Sequence, residues 1–332
     1  MYTLEGISVV IPNYNGATLL PQTLPTVMIA LENTGLPYEI VLADDASTDS
    51  SLTWVECEYP YIRILPSIQN CGFSVTANKG IRAARYTWVL LLNSDVKLTP
   101  DYFKHLLPYA EQPNLFGVTG RMVGWEDEKV QDGGKYPVFQ GAKIKTSYDF
   151  IPVSSETSEH GLPCFYLSGA NAFLNKSIFE AIGGFNELFA PYYVEDTELS
   201  LRAWRLGYTC LYEHRAVCLH RTSSTIGSPE RKKQVARIYD RNKYYLHAIH
   251  LDGLYLLSWF IQMKLELFFR LITFRWNPLL SYWDFIKNIP SIAETRKIVR
   301  NLQPGKKLLT VSAVFTSIQE QLKSTSLSIF KR

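Results

Sequence analysis

The amino-acid sequence predicts an α/β fold, in which helices flank a mostly parallel sheet, followed by a helical C-terminal region. The first observation is a repeated alternation of short, apolar, β-rich runs with helix-length segments, which is typical of parallel sheets with helices on both faces. The second is that clusters of Asp, Asn and Ser follow several of these runs directly. The third is a shift from acidic to basic composition late in the chain.

Four strands and two helices are predicted in the first hundred residues. The strand candidates are bounded by Pro, Gly, Asn or Asp, as strands usually are. They are Ile7 to Ile11, Glu39 to Ala43, Ile62 to Leu65 and Trp88 to Leu92. The helix-length stretches between them include Thr18 to Thr34 and Ser74 to Ala84. Ligands of such sheets bind at the carboxyl ends of the strands, so we expect the site there.

The remaining elements are less regular. Residues 125 to 162 are polar and rich in Gly, Ser and Glu, which predicts an elaborated loop or hairpin region. An apolar run from Cys164 to Leu174 is followed by a helix candidate that ends at Gly183 and Gly184. Residues 194 to 206 again look helical, and Gly207 is a natural stop.

The overall composition excludes several classes of protein. The chain has 332 residues, 46% of them apolar, and a formal net charge of only +3. This balance argues against a disordered chain and against a uniformly basic nucleic-acid binder. The five cysteines form no CxxC pair, which favours a reducing compartment over a disulfide framework. The N-terminus lacks a signal-peptide pattern, and Pro and polar residues interrupt the longest charge-free stretch, so no transmembrane helix is expected.

The small net charge conceals two regions of opposite sign. From Lys264 onward the chain has twelve Lys and Arg against four Asp and Glu, a net of +8, whereas residues 1 to 263 have 22 against 27, a net of −5. The change falls within an apolar helix candidate, Leu254 to Trp276, which has one narrow polar stripe. We predict a first domain over residues 1–245 and a basic helical region over residues 246–332.

Three interpretations of this helix are open: a core helix, an oligomer interface, or a peripheral membrane anchor. Its apolar arc is wider than a helix packed against one sheet usually needs, which argues against the first. Its Trp and Phe side chains can enter the acyl boundary while Lys264, Arg270 and Arg275 reach the headgroups. The downstream cations favour an anionic leaflet; they are Arg296, Lys297, Arg300, Lys306 and Lys307. We therefore favour the membrane anchor.

Four polar clusters lie where predicted strands end or helices begin. They are Asp44-Asp45, Asn93-Ser94-Asp95, Glu195-Asp196 and His220. Each alone is also what an ordinary turn or helix N-cap contains, but their convergence at one sheet edge favours a site. Asp95 and His220 suit a hard divalent cation that bridges two phosphates. Tyr14 and Asp45 can supply a shelf and an acceptor for a nucleotide base, and Asp196 can take a proton from an attacking hydroxyl.

At these residues the sequence resembles the family 2 glycosyltransferases, inverting enzymes of the Rossmann-like GT-A fold, and in particular their rhamnosyltransferase-like branch. The resemblance runs from Ile7 to about Asn242. It is carried by VIPNYN at Val10 to Asn15, LADDASTD at Leu42 to Asp49, NCGFSVTANKG at Asn70 to Gly80, LLNSDV at Leu91 to Val96 and GGFNELFAPYYVEDTEL at Gly183 to Leu199. The last segment is the most specific, and Arg241-Asn242 resembles another recurrent pair of the branch.

The resemblance implies a catalytic and metal-binding set. It places Asp196 in the position of the catalytic base, with Glu195 beside it, and implies that Asp95 and His220 bind Mg²⁺ or Mn²⁺. Asn93 stands where the family's Asp-x-Asp motif has its first acid, which leaves Asp95 as the only carboxylate ligand.

The resemblance also implies contacts with the two substrates. Asp45 is expected to contact the base of the donor nucleotide, and Asp44 to support the ribose region. The other implied donor-binding residues are Pro12, Tyr14, Asn15, Asn70, Gly72, Asn78, Asn93 and Ser94. The implied acceptor-binding residues are Gly184, Phe185 and Tyr193.

The activity that follows is transfer of a sugar, with inversion, from a UDP- or dTDP-linked donor to a hydroxyl of a glycan or polyprenyl-linked acceptor in cell-surface polysaccharide synthesis. We expect a cytoplasmic protein on the inner face of the cell membrane, with no nucleic-acid partner; an oligomer is also open. One alternative is a sugar-nucleotide nucleotidyltransferase, although the loop from Pro12 to Gly16 lacks the basic residue that a triphosphate site needs. Another is a non-catalytic membrane scaffold, which the substitution at Asn93 permits.

Overall fold

A computed structural model of the chain describes residues 4–153, 161–221, 229–273, 277–303 and 308–330. Several residues named above lie outside these ranges: Arg275, Trp276, Lys306, Lys307 and part of the 125–162 region. The five cysteines are all free thiols, as expected for a chain without a disulfide framework.

The described residues form two sheets, a ten-stranded mixed sheet and a smaller three-stranded one. The strands are β1 (Ile7–Asn13), β2 (Tyr38–Asp44), β3 (Arg63–Pro66), β4 (Trp88–Leu92), β5 (Val96–Leu98), β6 (Leu115–Gly124), β7 (Val130–Asp132), β8 (Gly134–Gln140), β9 (Lys143–Pro152), β10 (Leu162–Pro163), β11 (Asn171–Asn175), β12 (Thr209–His220) and β13 (Leu327–Phe330). The large sheet has the order β10-β12-β6-β11-β4-β1-β2-β3, with β5 on β12 and β7 on β6. The small sheet has the order β13-β9-β8.

Half of the large sheet is parallel, as the sequence predicts. β3, β2, β1 and β4 run side by side in one direction. The side chains of β4 and nearly all of those of β1 are buried, because helices cover both faces of this half. The register pairs Asn13 with Asp44 and Val10 with Leu91, so the polar residues that end β1 and β2 are neighbours.

The other half of the sheet is mixed, which the strand and helix alternation alone does not reveal. β11 lies antiparallel between β4 and β6, and β12 runs parallel to β6. A strand reached without a crossover helix can return antiparallel, which is the case for β11 after the hairpin region. β5 pairs antiparallel with β12 and places Val96 opposite His220. This pairing brings the segment after β4 to the end of β12.

Eleven α-helices lie within the described residues. They are α1 (Leu20–Glu32), α2 (Ser51–Glu58), α3 (Phe73–Ala83), α4 (Tyr102–Leu106), α5 (Lys176–Ala181), α6 (Glu195–Arg205), α7 (Pro229–His250), α8 (Gly253–Ile272), α9 (Asn277–Lys287), α10 (Ile289–Asn301) and α11 (Val311–Leu322). The predicted helices before β2, after Asn70, after β11 and from residue 194 are all present. α5 starts at an N-cap, where the side chain of Asn175 accepts a hydrogen bond from the Ile178 N–H, and it ends before Gly183 and Gly184 as expected.

The C-terminal helices pack onto the first region through a shared core. Residue 245, the predicted division, lies inside α7, and β13 adds a third strand to the hairpin of β8 and β9. One buried cluster includes Val10 of β1, Trp204 of α6 and Trp259 of α8. None of the helices in the described ranges is both long and apolar enough to cross a membrane.

Candidate functional site

The site begins where β1 and β2 end side by side. Asn13 is buried, and its Nδ2 donates to Oδ1 of Asp44 at 2.8 Å and to Oγ of Ser47 at 3.1 Å. The Ser47 N–H donates to the other oxygen of Asp44 at 2.9 Å. Asp44 is only 1% exposed. The Asp44 carboxylate thus holds the loop after β2, and the expectation that Asp44 supports the ribose region stays a prediction.

Asp45 organises a second loop, between β3 and α3. Its two carboxylate oxygens accept the backbone N–H groups of Cys71 and Gly72 at 2.8 and 2.9 Å. Nδ2 of Asn70 donates to the backbone carbonyl of Asp45 at 3.3 Å. Gly72 has φ +89°, and a Cβ there would lie 2.6 Å from the backbone of Pro191. A side chain at position 72 would therefore push this loop away from the loop before α6.

The segment after β1 borders the same loops. The N–H of Asn15 donates to Oγ of Ser47, and Oδ1 of Asn15 accepts from the Thr48 N–H, both at 2.8 Å. These bonds hold the segments after β1 and β2 together. Tyr14 follows Pro12 and Asn13 and is 53% exposed, so its ring is accessible to a planar ligand.

Asp95 and His220 meet, as the sequence predicts. Nε2 of His220 lies 3.5 Å from Oδ2 of Asp95, and the antiparallel pairing of β5 with β12 positions the pair. Nδ1 of His220 lies 2.8 Å from Oε1 of Gln131, a contact that orients the imidazole ring. Oδ1 of Asp95 is buried and has no hydrogen-bond partner among the described residues. Asn93 and Ser94 lie immediately before this pair, and the Asn93 N–H donates to the Ala170 carbonyl at 3.0 Å.

This pair fits a divalent cation in part. A carboxylate oxygen without a partner and an oriented imidazole nitrogen are suitable ligands for Mg²⁺ or Mn²⁺. Across the ranges that the structure describes, no three His, Cys, Asp or Glu side chains cluster closely enough to hold a metal ion. Asp95 and His220 can therefore supply two ligands, and a bound diphosphate and water would have to supply the rest.

Glu195 and Asp196 form the first turn of α6. Tyr193 and Val194, immediately before them, both adopt left-handed conformations with φ of 76° and 75°, which turns the chain sharply into the helix. Glu195 is only 7% exposed, and its Oε2 has no hydrogen-bond partner among the described residues. Burial, together with the neighbouring charge of Asp196, raises the pKa of the Glu195 carboxyl well above its ordinary value.

Asp196 lies beside the segment that precedes β11. Its Oδ1 accepts the Thr197 N–H at 2.6 Å. A Cβ on Gly169 would lie 3.8 Å from Cβ of Asp196, and the adjacent Ala170 carbonyl accepts the Asn93 N–H. The segment before β11 thus connects the Asp196 end of α6 to the residues that follow β4.

The expected donor contact Asn78 and two of the expected acceptor contacts are buried, whereas the third acceptor contact is exposed. Nδ2 of Asn78 donates to the Phe185 carbonyl at 2.9 Å, and Oδ1 of Asn78 accepts the Phe185 N–H at 2.8 Å. Asn78, Gly184 and Phe185 are buried, and Phe185 packs edge to face on Phe73. The Asn78 side chain and the Phe185 ring thus hold this loop in place, and their expected substrate contacts stay predictions. Tyr193 is 41% exposed and accessible to a ligand.

α7 fixes the loop that precedes α6. The Asn242 side chain is fully buried, and its Nδ2 donates to the carbonyls of Phe189, Tyr192 and Tyr193 at 2.7 to 3.1 Å. Arg241 donates to the Ala190 carbonyl at 2.6 Å. The resemblance had singled out this pair without giving it a role. Gln131 and Gly169 were not found from the sequence, because nothing in the local pattern around either residue points to a site.

The chain is similar to several known proteins. The sequence profile described as glycosyl transferase family 2 matches residues 8–183. An N-acetylglucosaminyl-diphospho-decaprenol L-rhamnosyltransferase from Mycobacterium tuberculosis is 26% identical over 249 residues, which are 67% of this chain and 78% of that protein. A validoxylamine A glucosyltransferase from Streptomyces hygroscopicus subsp. jinggangensis is 30% identical over 218 residues, which are 59% of this chain and 50% of that protein.

Two solved structures are similar in fold. The crystal structure of GalNAc-T7 with UDP, GalNAc and Mn²⁺ has a TM-score of 0.65 at 15% identity, over 97% of this chain and 57% of that chain. The mannosyltransferase PcManGT from Pyrobaculum calidifontis, in complex with GDP-Man and Mn²⁺, has a TM-score of 0.51 at 15% identity, over 92% of this chain and 89% of that chain. The chain thus spans only about half the length of some proteins that it matches. These likenesses confirm the predicted fold class.

Proposed function

Because the chain belongs to glycosyl transferase family 2, we propose that its site transfers a sugar from a nucleotide-diphosphate sugar to an acceptor hydroxyl with inversion, Asp196 acting as general base. The chain is a glycosyltransferase of glycan biosynthesis that uses nucleotide sugars. The observation that carries the finer proposal is the convergence of Asp95, His220 and Asp196 on one edge of the sheet.

The donor is proposed to be a UDP- or dTDP-linked sugar. Tyr14 offers an exposed ring for the base. Asp45 lies between the segment after β1 and the Asn70 loop, where its carboxylate already accepts two N–H groups and has lone pairs left for the imide N–H of a uracil or thymine. One neighbour in fold is described with UDP and another with GDP-Man, so nucleoside diphosphates are the shared chemistry.

Mg²⁺ or Mn²⁺ is proposed as cofactor, held by Asp95 and His220. Both neighbours in fold are described with Mn²⁺. When bound, the cation supplies Lewis-acid stabilisation of the negative charge on the departing diphosphate. Gln131 keeps the imidazole of His220 oriented towards Asp95. Asn93 lies at the position of the motif's missing first acid, where its amide oxygen is a neutral alternative.

The two acids that begin α6 divide the proton chemistry between them. Glu195 keeps its proton to a higher pH, because burial and then the neighbouring charge of Asp196 both raise the pKa of its carboxyl. Asp196 is the acid proposed to accept the proton of the attacking hydroxyl. A single attack on the anomeric carbon, opposite the departing diphosphate, inverts the configuration.

The acceptor is proposed to be a glycan or a polyprenyl-linked sugar in the synthesis of a cell-surface polysaccharide. The mycobacterial relative is named as acting on N-acetylglucosaminyl-diphospho-decaprenol, a lipid-linked acceptor. Tyr193 is the exposed aromatic side chain next to Glu195 and offers a surface for a sugar ring. We place this reaction at the cytoplasmic face of the cell membrane.

The direct test is a panel of nucleotide sugars supplied with Mn²⁺, with release of the nucleoside diphosphate as the readout. We expect one or two UDP- or dTDP-sugars to be consumed and the others to remain intact. A parallel arm supplies nucleoside triphosphates with sugar 1-phosphates. Release of pyrophosphate there, without turnover of any nucleotide sugar, would instead identify a nucleotidyltransferase and contradict the proposal.

A further inference from the structure

Many large apolar side chains of α8 face outwards, unlike those of an ordinary surface helix. Its fully buried apolar side chains are Trp259, Met263 and Leu267, at four-residue spacing. Leu256 packs partly buried against the same core, and Tyr255 stacks on Phe139. Trp259 stacks on the imidazole of His247, with ring centroids 5.3 Å apart and planes 5° apart. This stripe is enough to attach α8 to α7 and the core.

The polar side of α8 also faces the protein. Oε1 of Gln262 accepts the Ala142 N–H at 2.8 Å, and Nε2 of Gln262 donates to Glu266 at 3.0 Å. Glu266 forms an ion pair with Lys143, which begins β9. The polar stripe recognised in the sequence is therefore used against the hairpin of β8 and β9. It is not the surface that α8 presents to the outside.

The outward side of α8 is almost entirely apolar. Six large side chains there are between 54% and 80% exposed: Leu254, Leu257, Ile261, Leu265, Phe268 and Phe269. They recur at spacings of three and four residues along a helix of 20 residues, which is about 30 Å long. Lys264 lies among them in sequence, but its ammonium contacts Tyr282 of α9, 4.5 Å from the ring centroid. A continuous apolar strip of this size marks an interaction surface.

Cationic side chains border this strip. Lys264 and Lys287 lie on α8 and α9, and Lys287 is 5.7 Å from the ring centroid of Trp283, which is 57% exposed. Two cations expected to face the headgroups are engaged elsewhere, because Arg296 and Arg300 both pair with Asp252. Of the charged side chains of α8, Lys264 is exposed, whereas Glu266 and Arg270 are partly buried. The exposed charge of this helix is therefore positive and complementary to an anionic surface.

We propose that the outward face of α8, defined by the six side chains above, docks on an anionic lipid bilayer, with the helix lying in the plane of the headgroups. Large aliphatic and aromatic residues on one side and Lys at the border are the pattern of helices that bind at the interface of a bilayer. Lys is depleted in protein–protein interfaces, which makes a second copy of this chain the weaker fit.

Docking would also bring the acceptor side of the site towards the lipid. His247, which stacks on Trp259, is five residues after Asn242 on α7, or about 7.5 Å along the helix axis. Asn242 holds the loop that carries Tyr193. This consequence rests on the proposed function, but the docking itself does not. Its test measures binding alone, so failure of either proposal can be recognised separately.

The test is flotation of the full chain with vesicles of phosphatidylcholine containing roughly one third phosphatidylglycerol. The variant replaces Leu257, Ile261 and Phe268 by Gln, a good helix former that leaves the charge and the buried stripe unchanged. The matched control replaces three exposed apolar side chains outside α8 by Gln, namely Ile29, Tyr61 and Ile68. We expect the wild type and the control to float and the α8 variant to lose at least about tenfold in bound fraction.

Two results would overturn the proposal. One is flotation of the α8 variant to the same extent as the wild type. The other is a wild type that stays in the dense fraction and is a dimer in light scattering, whereas the α8 variant is a monomer. The second result would assign the strip to a second copy of the chain. Far-ultraviolet circular dichroism of all three proteins checks that the helices are retained.

Discussion

Nε2 of His220 lies 3.5 Å from Oδ2 of Asp95, although one residue ends β12 and the other follows β4. Two features of the sheet produce this contact. β12 ends at the same edge as β4, and the short strand β5 pairs antiparallel with its last residues. Because Oδ1 of Asp95 has no partner in the described part of the chain, we expect a cation to bind at this pair.

The first prediction concerns Asp95 and His220, the expected ligands of the cation. UDP with Mn²⁺ is expected to raise the melting temperature of the wild type more than either ligand alone, because a ligand that binds only the folded state stabilises it. Asp95→Asn and His220→Gln are expected to remove the metal-dependent part of this shift. His105→Gln is the matched control. His105 lies on α4, contacts Asp101 at 3.3 Å and is not one of the predicted site residues. Retention of the full metal-dependent shift in His220→Gln would contradict the assignment.

The second prediction concerns Asn242, a positioning residue. Asn242→Ala removes three hydrogen bonds to the loop before α6, so the loop that carries Tyr193 is expected to shift. We expect about a tenfold higher KM for the acceptor, with donor KM unchanged. Asn277→Ala, which removes one bond to the Lys233 carbonyl, is the control and is expected to leave both values unchanged. A donor KM that rises as much as the acceptor KM would argue against this role.

The third prediction is about stability. Glu198 is fully buried, Nε of Arg202 donates to it at 3.1 Å, and Nε2 of His250 lies 3.0 Å away. Although burial alone would raise it, Arg202 and His250 hold the pKa of Glu198 at about 2. Glu198→Gln leaves a buried Arg without its partner, and we expect a loss of about 3–5 kcal/mol in urea unfolding.

The control for this measurement is Glu180→Gln. Glu180 also pairs with a residue one helical turn away, Lys176, at 3.7 Å, but its side chain is 46% exposed. The expected loss is therefore below about 1 kcal/mol. Equal losses in the two variants would show that burial of the Glu198 pair adds nothing.

The fourth prediction is a pH dependence that comes from Glu195. Burial beside Asp196 raises its pKa in the folded state above the ordinary value of 4.5. Its contribution to stability is therefore fully present below about pH 4.5 and is lost as the pH rises through the higher folded pKa. We expect the melting temperature of Glu195→Gln to fall less than that of the wild type between about pH 5 and 8. The exposed-site control Glu56→Gln is expected to follow the wild type, and parallel curves for all three would refute the prediction.

Much of the parallel half of the sheet could be read from the sequence. β4 was predicted with its observed bounds, because its five buried apolar residues are flanked by polar residues. The mixed half could not be predicted, since the direction of β11 depends on which neighbours it finds after the hairpin region. The C-terminal strand β13 pairs with β9 across most of the chain length, and no local pattern encodes such a partner.

The candidate site shows the same division. The pairing of Asp95 with His220 and the position of Asp196 at the start of α6 follow the sequence-based expectation. The contacts of Asp44, Asn78 and Phe185 within the protein could not be predicted, because residue type alone does not tell a ligand contact from a bond that holds a loop. Gln131, which orients His220, was missed for the same reason.

The central claim is that Asp196 is the base of a glycosyl transfer, and Asp196→Asn tests it most directly. With the donor that the nucleotide-sugar panel identifies, two quantities are measured: turnover, and the metal-dependent thermal shift given by the nucleoside diphosphate. We expect turnover to fall about a thousandfold while the thermal shift is unchanged, because the amide keeps the shape of the side chain but cannot accept the proton. A variant that retains turnover within about threefold of the wild type would contradict the account.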